Sequence, residues 1–251
     1  SSQLEAKSSE LQATAEKLTE LSIQKDSFLS QISHELRTPM TSIRSFSEIL
    51  MSGNLDDDEQ RRYSSIIHDE SLRLTRLLDD LLDLSVLENG QVVLNPQDDT
   101  LSVLIDRAVA ATAATGQHQT IKIHRDVKDE GIRIRTDSDR LAQVFINVVA
   151  NAMKYCDADN PQLTISARDF ADRVEVDFVD NGSGISDRDQ ALIFEKFSRL
   201  EDHSKAGGAG LGLAICREVM AKLGGTIEYV PGLGGAAFRV TVPHGLAVAA
   251  E

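Results

Sequence analysis

Tryptophan is absent from the 251 residues, and aromatic residues make up only 4%, so leucine, isoleucine, valine and alanine must build most of the core. The two cysteines, Cys156 and Cys216, provide no disulfide framework and indicate a reducing cytosol. No apolar run approaches the roughly 18 to 20 residues that a membrane helix needs, and no signal peptide is visible. We therefore expect this polypeptide to be cytoplasmic, although a longer parent protein could carry a membrane anchor.

Positive charge is also scarce, because 26 lysines and arginines stand against 40 aspartates and glutamates, a net charge of −14. Nucleic-acid surfaces need clustered basic residues, so we expect no nucleic-acid partner, and an anionic membrane face is disfavoured as well. Hydrophobic residues reach 41%, which excludes disorder of the whole chain, and the length suits two domains. Because the sequence starts with Ser1-Ser2 and not with methionine, we interpret it as a fragment whose upstream part is absent.

The first 24 residues contain neither glycine nor proline and carry Leu4, Leu11 and Leu18 at intervals of seven. Leu21 and Phe28 extend this stripe. A heptad of leucines predicts a coiled coil, and the alternative is one amphipathic helix packed on its own domain. We favour the coiled coil because the helical pattern continues without a break into the next segment.

Two amphipathic helices are predicted next, at about 24–51 and 59–88, with a turn at 52–59 between them. Their apolar faces are too broad for two helices to bury alone. We therefore predict that two copies of the chain form a four-helix bundle and that the protein is a homodimer. The apolar positions are Phe28, Ile32, Leu36, Ile43, Phe46 and Leu50 in the first helix and Ile66, Ile67, Leu74, Leu77, Leu78, Leu81 and Leu84 in the second.

Asn89-Gly90 ends the second helix, Pro96 lies in the linker, and from about Asp98 the pattern changes to alternating helices and strands. This order predicts an α+β sandwich, with helices on one face of a mixed sheet. Helices are predicted at 101–114, 138–156 and 211–223, and strands at 120–127, 132–136, 163–169, 174–180, 226–230 and 236–242.

The most distinctive string runs from Phe28 to Pro39 and reads FLSQISHELRTP. His34 lies off the apolar side of its helix, and a neutral imidazole can attack phosphorus to give a phosphohistidine. Glu35 is adjacent, and a carboxylate can accept the imidazole proton or orient the ring. An exposed histidine beside a glutamate alone indicates only a solvated surface. The complete string, however, resembles the phosphoacceptor box of sensor histidine kinases.

A second motif lies on the helix predicted at 138–156, where Asn147, Asn151 and Lys154 recur at i, i+4 and i+7 on one face. An amide oxygen can ligate Mg²⁺, and an ammonium group can neutralise a phosphate. A polar outer face is the ordinary explanation, but two asparagines inside an apolar helix are poor helix formers. The stretch through Tyr155 resembles the N box of the same kinases. The resemblance implies that these four residues bind nucleotide and that Asn151 binds Mg²⁺.

Two motifs follow the strand predicted at 174–180. Asp180, Gly182 and Gly184 belong to DNGSG, where a carboxylate can accept the exocyclic amine of adenine and glycines let the backbone approach the ring. These letters are also ordinary turn chemistry, but after a strand and an N box they resemble the G1 box. The segment IFEKFSR, which otherwise indicates a local core, resembles the F box and implies that Arg199 reaches the γ-phosphate.

A glycine-rich string, GGAGLGL, begins at Gly207 and runs directly into the last predicted helix. Its free backbone N–H groups and the helix N-terminus suit phosphate. No Lys-Ser/Thr pair follows, which excludes a Walker A loop, and the string does not follow a strand in a βαβ unit, which argues against a Rossmann fingerprint. It resembles the G2 box, which implies a mobile lid at 200–207 and nucleotide contacts by Gly208, Gly210, Leu211 and Gly212.

Together the five motifs make residues 25–245 resemble a sensor histidine kinase. The resemblance implies a coiled-coil signalling helix at 1–24, a dimerisation and phosphoacceptor hairpin at 25–95, and an ATP-binding domain of the GHKL (Bergerat) type at 96–251. It also implies that the missing upstream part contains a sensor domain.

The resemblance further implies that ATP with Mg²⁺ phosphorylates His34, with Glu35 as general base, and that the phosphoryl group passes to an aspartate in the receiver domain of a response regulator. Thr38 corresponds to a position that orients water in family phosphatases. Two alternatives stay open. Another ATPase of this fold, such as a chaperone or topoisomerase clamp, has no need of His34 on a dimerising helix. A signalling scaffold would not bind ATP.

Overall fold

A computed structural model describes residues 2–90, 92–114, 121–198 and 209–245, with side chains described from Lys7 onward in the first helix and up to Ala113 in the third. The chain divides into two compact units, Ser1–Leu78 and Asp79–Glu251. Within the described residues, no helix has both the length and the apolar character that crossing a membrane requires.

The first unit is a helical hairpin. Helix α1 spans Ser2–Met51 and continues through Pro39, and helix α2 spans Asp57–Glu88, so the predicted hairpin is confirmed. Asp56 ends the connection as a helix cap, since its carboxylate accepts from the Glu59 N–H at 2.8 Å while its own N–H donates to the Glu59 carboxylate at 3.2 Å. This reciprocal pair satisfies two backbone donors at the start of α2.

The apolar stripe of the hairpin is only half-buried within one copy of the chain. Phe46 stacks on Tyr63 of α2 with 5.3 Å between ring centroids. In the N-terminal part of α1, Leu11 and Leu18 are 70% and 63% exposed. The side chain of Leu4, the first position of the predicted heptad, lies outside the described side chains. Among the described residues, the hairpin of a single copy therefore exposes a long apolar surface.

The second unit contains the last turns of α2 and, as predicted, an α+β fold. Its helices are α3 (Leu101–Ala114), α4 (Ser138–Tyr155), α5 (Asp187–Gln190) and α6 (Gly212–Lys222). Its strands are β1 (Pro96–Thr100), β2 (Lys122–Asp126), β3 (Arg133–Asp137), β4 (Gln162–Asp169), β5 (Arg173–Asp180), β6 (Thr226–Tyr229) and β7 (Ala237–Pro243).

Five strands form a mixed sheet in the order β2-β4-β5-β7-β6, in which β2 pairs parallel with β4 and the other pairs are antiparallel. Strand β5 shows why the sheet has two different faces. Val174, Val176 and Phe178 are buried, and Phe178 packs against Phe145 of α4 at 5.3 Å between ring centroids. The alternate residue Asp177 lies on the opposite face, where Arg239 donates to both of its carboxylate oxygens at 2.7 and 3.0 Å.

A separate two-stranded sheet joins the start of the second unit to helix α4. Strand β1, which the sequence pattern had assigned to a linker, pairs antiparallel with β3. The Asn95 N–H donates to Asp137 Oδ2 at 2.9 Å, while Asp137 Oδ1 accepts from the Arg140 N–H at 3.1 Å and caps α4. One carboxylate therefore anchors both the linker and the helix that carries Asn151.

Candidate active site

The phosphoacceptor candidate, His34, has an exposed side chain on α1. Glu35 beside it is partly buried, and its Oε2 lies 3.8 Å from Arg73 Nη2 of α2. Arg73 also lies 3.7 Å from Glu70, so it is shared between two carboxylates. The ion pair directs the Glu35 carboxylate toward α2, while the His34 side chain is exposed.

Thr38 lies one turn after His34. Its hydroxyl Oγ1 donates to the His34 carbonyl at 3.3 Å, and the side chain is exposed. The next residue, Pro39, is buried. Proline supplies no N–H, so the helical bond that would run from residue 39 to the Glu35 carbonyl is absent at this turn of α1.

The second unit contains a cavity that gathers most of the predicted nucleotide-binding residues. Helix α4 contributes Asn151, Lys154 and Tyr155 to its wall. The Lys154 ammonium lies 4.6 Å from the centroid of the Tyr155 ring, a cation–π arrangement that holds the charge at the cavity. Asn147 is not part of this wall. Its side-chain Nδ2 donates to the buried Cys216 Sγ at 3.6 Å, across the interface between α4 and α6.

Asp180 lies at the end of β5 in the cavity wall and is only 7% exposed. Its Oδ1 accepts from the backbone N–H groups of Gly182 and Ala236, both at 2.9 Å. Burial raises the pKa of the carboxyl, the two N–H groups lower it, and the charge of Asp157 raises it further, with a net increase. Both N–H groups bind Oδ1, and within the described residues no hydrogen bond to Oδ2 occurs, so this second oxygen is available to a ligand.

Three side chains hold the loop after β5, two from outside the sequence motifs and one, Asn181, from within DNGSG. Asp157 accepts from the Ser183 N–H at 2.7 Å, and the Tyr229 hydroxyl accepts from the Ile185 N–H at 3.2 Å. Asn181 Oδ1 accepts from the Gln162 N–H at 2.8 Å. These bonds fix a loop whose glycines, Gly182 and Gly184, line the cavity. No local sequence signal identifies Asp157 or Tyr229, because neither belongs to the motif.

The glycine-rich string contributes Gly210, Leu211 and Gly212 to the cavity wall, and α6 begins at Gly212. Gly210 has φ +71°, a left-handed conformation in which any other residue is strained. Three predicted features, Arg199, Gly208 and the lid at 200–207, lie outside the described residues.

The chemistry of the cavity fits ATP. Its wall combines apolar side chains suited to a flat aromatic base with the buried Asp180 carboxylate, a lysine and backbone glycines at the start of a helix. Asn151 offers an amide oxygen. In nucleotide sites, phosphates and water supply most of the Mg²⁺ ligands and the protein supplies only one or two. No group of three His, Cys, Asp or Glu side chains suited to holding a metal occurs in the part of the chain that the structure describes. The apolar wall residues are Val148, Ala152, Leu163, Phe178, Ile185, Ile193, Leu213 and Phe238.

Comparison with known proteins gives two family matches. Residues 24–90 match the model of the His Kinase A (phospho-acceptor) domain. Residues 136–246 match the model of the histidine kinase-, DNA gyrase B-, and HSP90-like ATPase. The first match separates this chain from the gyrase and HSP90 branches, which the second model also includes.

Individual relatives agree with these matches. The chain is 33% identical over 222 residues to Sensor protein kinase WalK of Staphylococcus aureus, which covers 86% of this chain and 53% of that protein. Histidine kinase ThkA, solved in complex with response regulator protein TrrA, aligns with a TM-score of 0.69 at 26% identity over 87% of this chain and 61% of that one. ShkA, solved in complex with AMPPNP, aligns with a TM-score of 0.63 at 25% identity over 89% of this chain and 47% of that one.

The chain belongs to the sensor histidine kinases, with a phosphoacceptor domain followed by an ATP-binding domain of the GHKL type. It spans about half the length of the S. aureus relative, 53%, and 36% of longer proteins of the same name.

Proposed function

We propose that this chain is an ATP-dependent protein-histidine kinase that phosphorylates His34 and then transfers the phosphoryl group to an aspartate of a response regulator. The observation that carries the proposal is that one chain has both an exposed histidine on a helical hairpin and a cavity suited to a nucleotide. The cavity is lined by a carboxylate that suits the adenine amine, Asp180, and by a lysine that suits phosphate, Lys154. The AMPPNP complex of ShkA and the TrrA complex of ThkA support the two halves of this activity.

In the proposed reaction, His34 Nε2 attacks the γ-phosphorus of ATP. The N–P bond forms, the bond from phosphorus to the β–γ bridging oxygen breaks, and ADP leaves. Glu35 accepts the proton from Nδ1, or holds the ring so that Nε2 has its lone pair available. In the second step a carboxylate oxygen of the regulator attacks the phosphorus, and the bond to Nε2 breaks.

The nucleotide would be held by the residues gathered around the cavity. Asp180 would accept the adenine amine, Tyr155 would flank the base, and Lys154 would neutralise phosphate charge. The glycines at 182, 184, 208, 210 and 212, with Leu211 and Asn147, complete the proposed site, and Arg199 would reach the γ-phosphate.

Asn151 would bind Mg²⁺ through its amide oxygen, and the ion would neutralise charge on the triphosphate. Asn151→Asp keeps an oxygen but adds a negative charge that opposes the triphosphate. We expect this variant to bind Mg²⁺–ATP more weakly than the wild type.

We further propose that the chain acts as a homodimer. The half-buried stripe of the hairpin and the exposed Leu11 and Leu18 support this proposal, because a second copy would cover both. The proposed functional segments are 1–24, 25–95 and 96–251, the first a coiled coil that transmits a signal to the helix carrying His34.

The same hairpin would bind the receiver domain of the regulator. Dephosphorylation of that regulator is a second proposed activity. Thr38, exposed one turn from His34, is the side chain that would orient the attacking water.

The test is incubation with γ-labelled ATP and Mg²⁺, followed by acid and base treatment. We expect label that is lost in acid and kept in base. His34→Gln should abolish labelling with little change in ATP affinity, and His68→Gln, an exposed histidine on α2, should label normally. Label that persists in His34→Gln would refute the assignment. Wild type that binds ATP without labelling would indicate another ATPase, and wild type that binds no ATP would indicate a scaffold.

A further inference from the structure

The last turns of α2, Asp79–Glu88, pack against the ATP-binding fold within the second unit. Asp83 accepts from Gln143 Nε2 of α4 at 2.8 Å and lies 3.3 Å from Arg140 Nη1. Leu84 and Leu87 are each only 1% exposed, and Glu88 forms an ion pair with Lys196. Positions 80, 83, 84, 87 and 88 recur at helical spacing, so all of them lie on one face of the helix.

The first residue on this face, Asp80, lines the nucleotide cavity. It shares the wall with Lys154, Gly210 and Gly212, which belong to the phosphate-binding part of the proposed site. Burial, and to a smaller extent the charge of Asp80, raises the pKa of the Cys216 thiol to about 12. Asp79, the preceding residue, is exposed and does not line the cavity.

We propose that Asp80 is a nucleotide-site residue contributed by α2 and that its negative charge weakens the binding of triphosphates. This inference rests on the proposed function, because it assumes that the cavity binds ATP. A carboxylate and a triphosphate repel each other, and at the effective dielectric of a partly exposed protein site such a repulsion changes the Kd by about three- to tenfold.

The repulsion gives α2 an effect on the ATP site that the family motifs do not include. Thermodynamic coupling is reciprocal. A bound triphosphate therefore lowers the equilibrium constant for packing of Asp79–Glu88 by the same factor by which that packing lowers the affinity for ATP. Asp83 and Glu88 hold the segment against the ATP-binding fold, and the charge of Asp80 acts on the nucleotide. ATP therefore favours release of this part of α2 from the cavity.

The test compares Asp80→Asn with Asp79→Asn, which removes the same charge from the same helix outside the cavity. Titration calorimetry with ATP, ADP and adenosine gives the Kd of each, with and without Mg²⁺. We expect Asp80→Asn to bind ATP about three- to tenfold more tightly, ADP with a smaller gain, and uncharged adenosine without change. Higher salt should reduce the gain, because ions screen the repulsion. Asp79→Asn should match the wild type.

Several outcomes would overturn the inference while leaving the proposed function intact. A higher Kd for ATP in Asp80→Asn would mean that Asp80 helps to bind the nucleotide. If the Kd rises only when Mg²⁺ is present, Asp80 would act by binding the metal. An equal change for adenosine would indicate a packing effect, and identical behaviour of both variants would remove any role for Asp80. If Asp80→Asn melts below the wild type, Asp80→Ser repeats the comparison. A wild type that binds no nucleotide would refute the proposed function and this inference with it.

Discussion

Glu35 on α1 and Arg73 on α2 form an ion pair, with 3.8 Å between Oε2 and Nη2. The pair joins the residue next to His34 to the opposite helix of the hairpin. The proposed role of Glu35, to accept or orient a proton, needs a carboxylate of restricted position, and the ion pair with Arg73, a residue outside the motif, restricts it. The orientation of the acceptor turn therefore depends on α2 as well as on α1.

Arg73→Gln should slow autophosphorylation about two- to fivefold, since a partly exposed ion pair contributes up to about 1 kcal/mol. Because the change lies in the first unit, the Kd for ATP should stay the same. Arg76→Gln is the matched control, since among the described residues Arg76 donates to the Leu72 carbonyl of its own helix and forms no ion pair. Label incorporation in a rapid-mixing assay measures the rate, and equal rates for both variants would refute a positioning role for Arg73.

Asp180→Asn should separate stability from binding. Burial raises the pKa of Asp180, so at neutral pH its charge costs folding free energy, and removing that charge should keep or raise the melting temperature. The Asn oxygen can still accept from Gly182 and Ala236, which directs the NH₂ group toward the adenine amine. Loss of a charged hydrogen bond should then raise the Kd for ATP more than tenfold. Unchanged ATP affinity in this variant would contradict the role of Asp180.

Gly210→Ala and Gly212→Ala should differ in stability. A Cβ on Gly210 would lie 2.5 Å from the Ser198 carbonyl oxygen, and φ is +71°, so we expect a loss of about 1 to 2 kcal/mol or more in unfolding free energy. A Cβ on Gly212 would meet nothing closer than Asn147 Cγ at 3.9 Å, so the apo protein should melt normally. Gly212→Ala should nevertheless weaken ATP binding, because phosphate must approach that backbone. Denaturant titration and ATP titration measure the two effects, and equal melting of both variants would contradict the packing argument.

His244 should contribute a pH-dependent part of the stability. Burial lowers the pKa of its imidazole, but the Phe170 carbonyl and the Asp169 carboxylate outweigh this effect, and the pKa is raised above 6.5. The contribution should therefore be complete below pH 6.5 and disappear as the pH rises through the folded-state pKa. His244→Gln should lower the melting temperature more at pH 6 than at pH 9, with the exposed His124→Gln as the control. A pH-independent difference would indicate a role in packing alone.

The features that the sequence predicted well are those encoded by nearby residues. Alternation of Val174, Val176 and Phe178 identified β5, and the turn around Asp56 separated the two long helices. The cavity residues Asn151, Lys154 and Asp180 were found because each lies in a short motif whose neighbours constrain it.

The features that sequence reasoning missed depend on distant partners. Strand β1 reads as a polar linker, and it is a strand only because β3 supplies its hydrogen bonds. Asp80 reaches the cavity from α2, and Asp157 and Tyr229 reach the loop after β5 from other segments, so no periodic or motif signal marks them. Asn147 shares the i, i+4 spacing with Asn151, yet the thiol of Cys216 holds its amide, and its contact with nucleotide stays a prediction.

The bond from the Asn95 N–H to Asp137 has a consequence for how this domain can be separated from its neighbours. Asp137 also caps the helix of Asn151, so a cut after residue 100, just before α3, would remove both the β1 strand and one of the two bonds to that carboxylate. Gene fusions that exchange sensor and catalytic modules should therefore join before Asn95. Swaps made at the apparent end of the linker would detach a strand from the module they are meant to transplant.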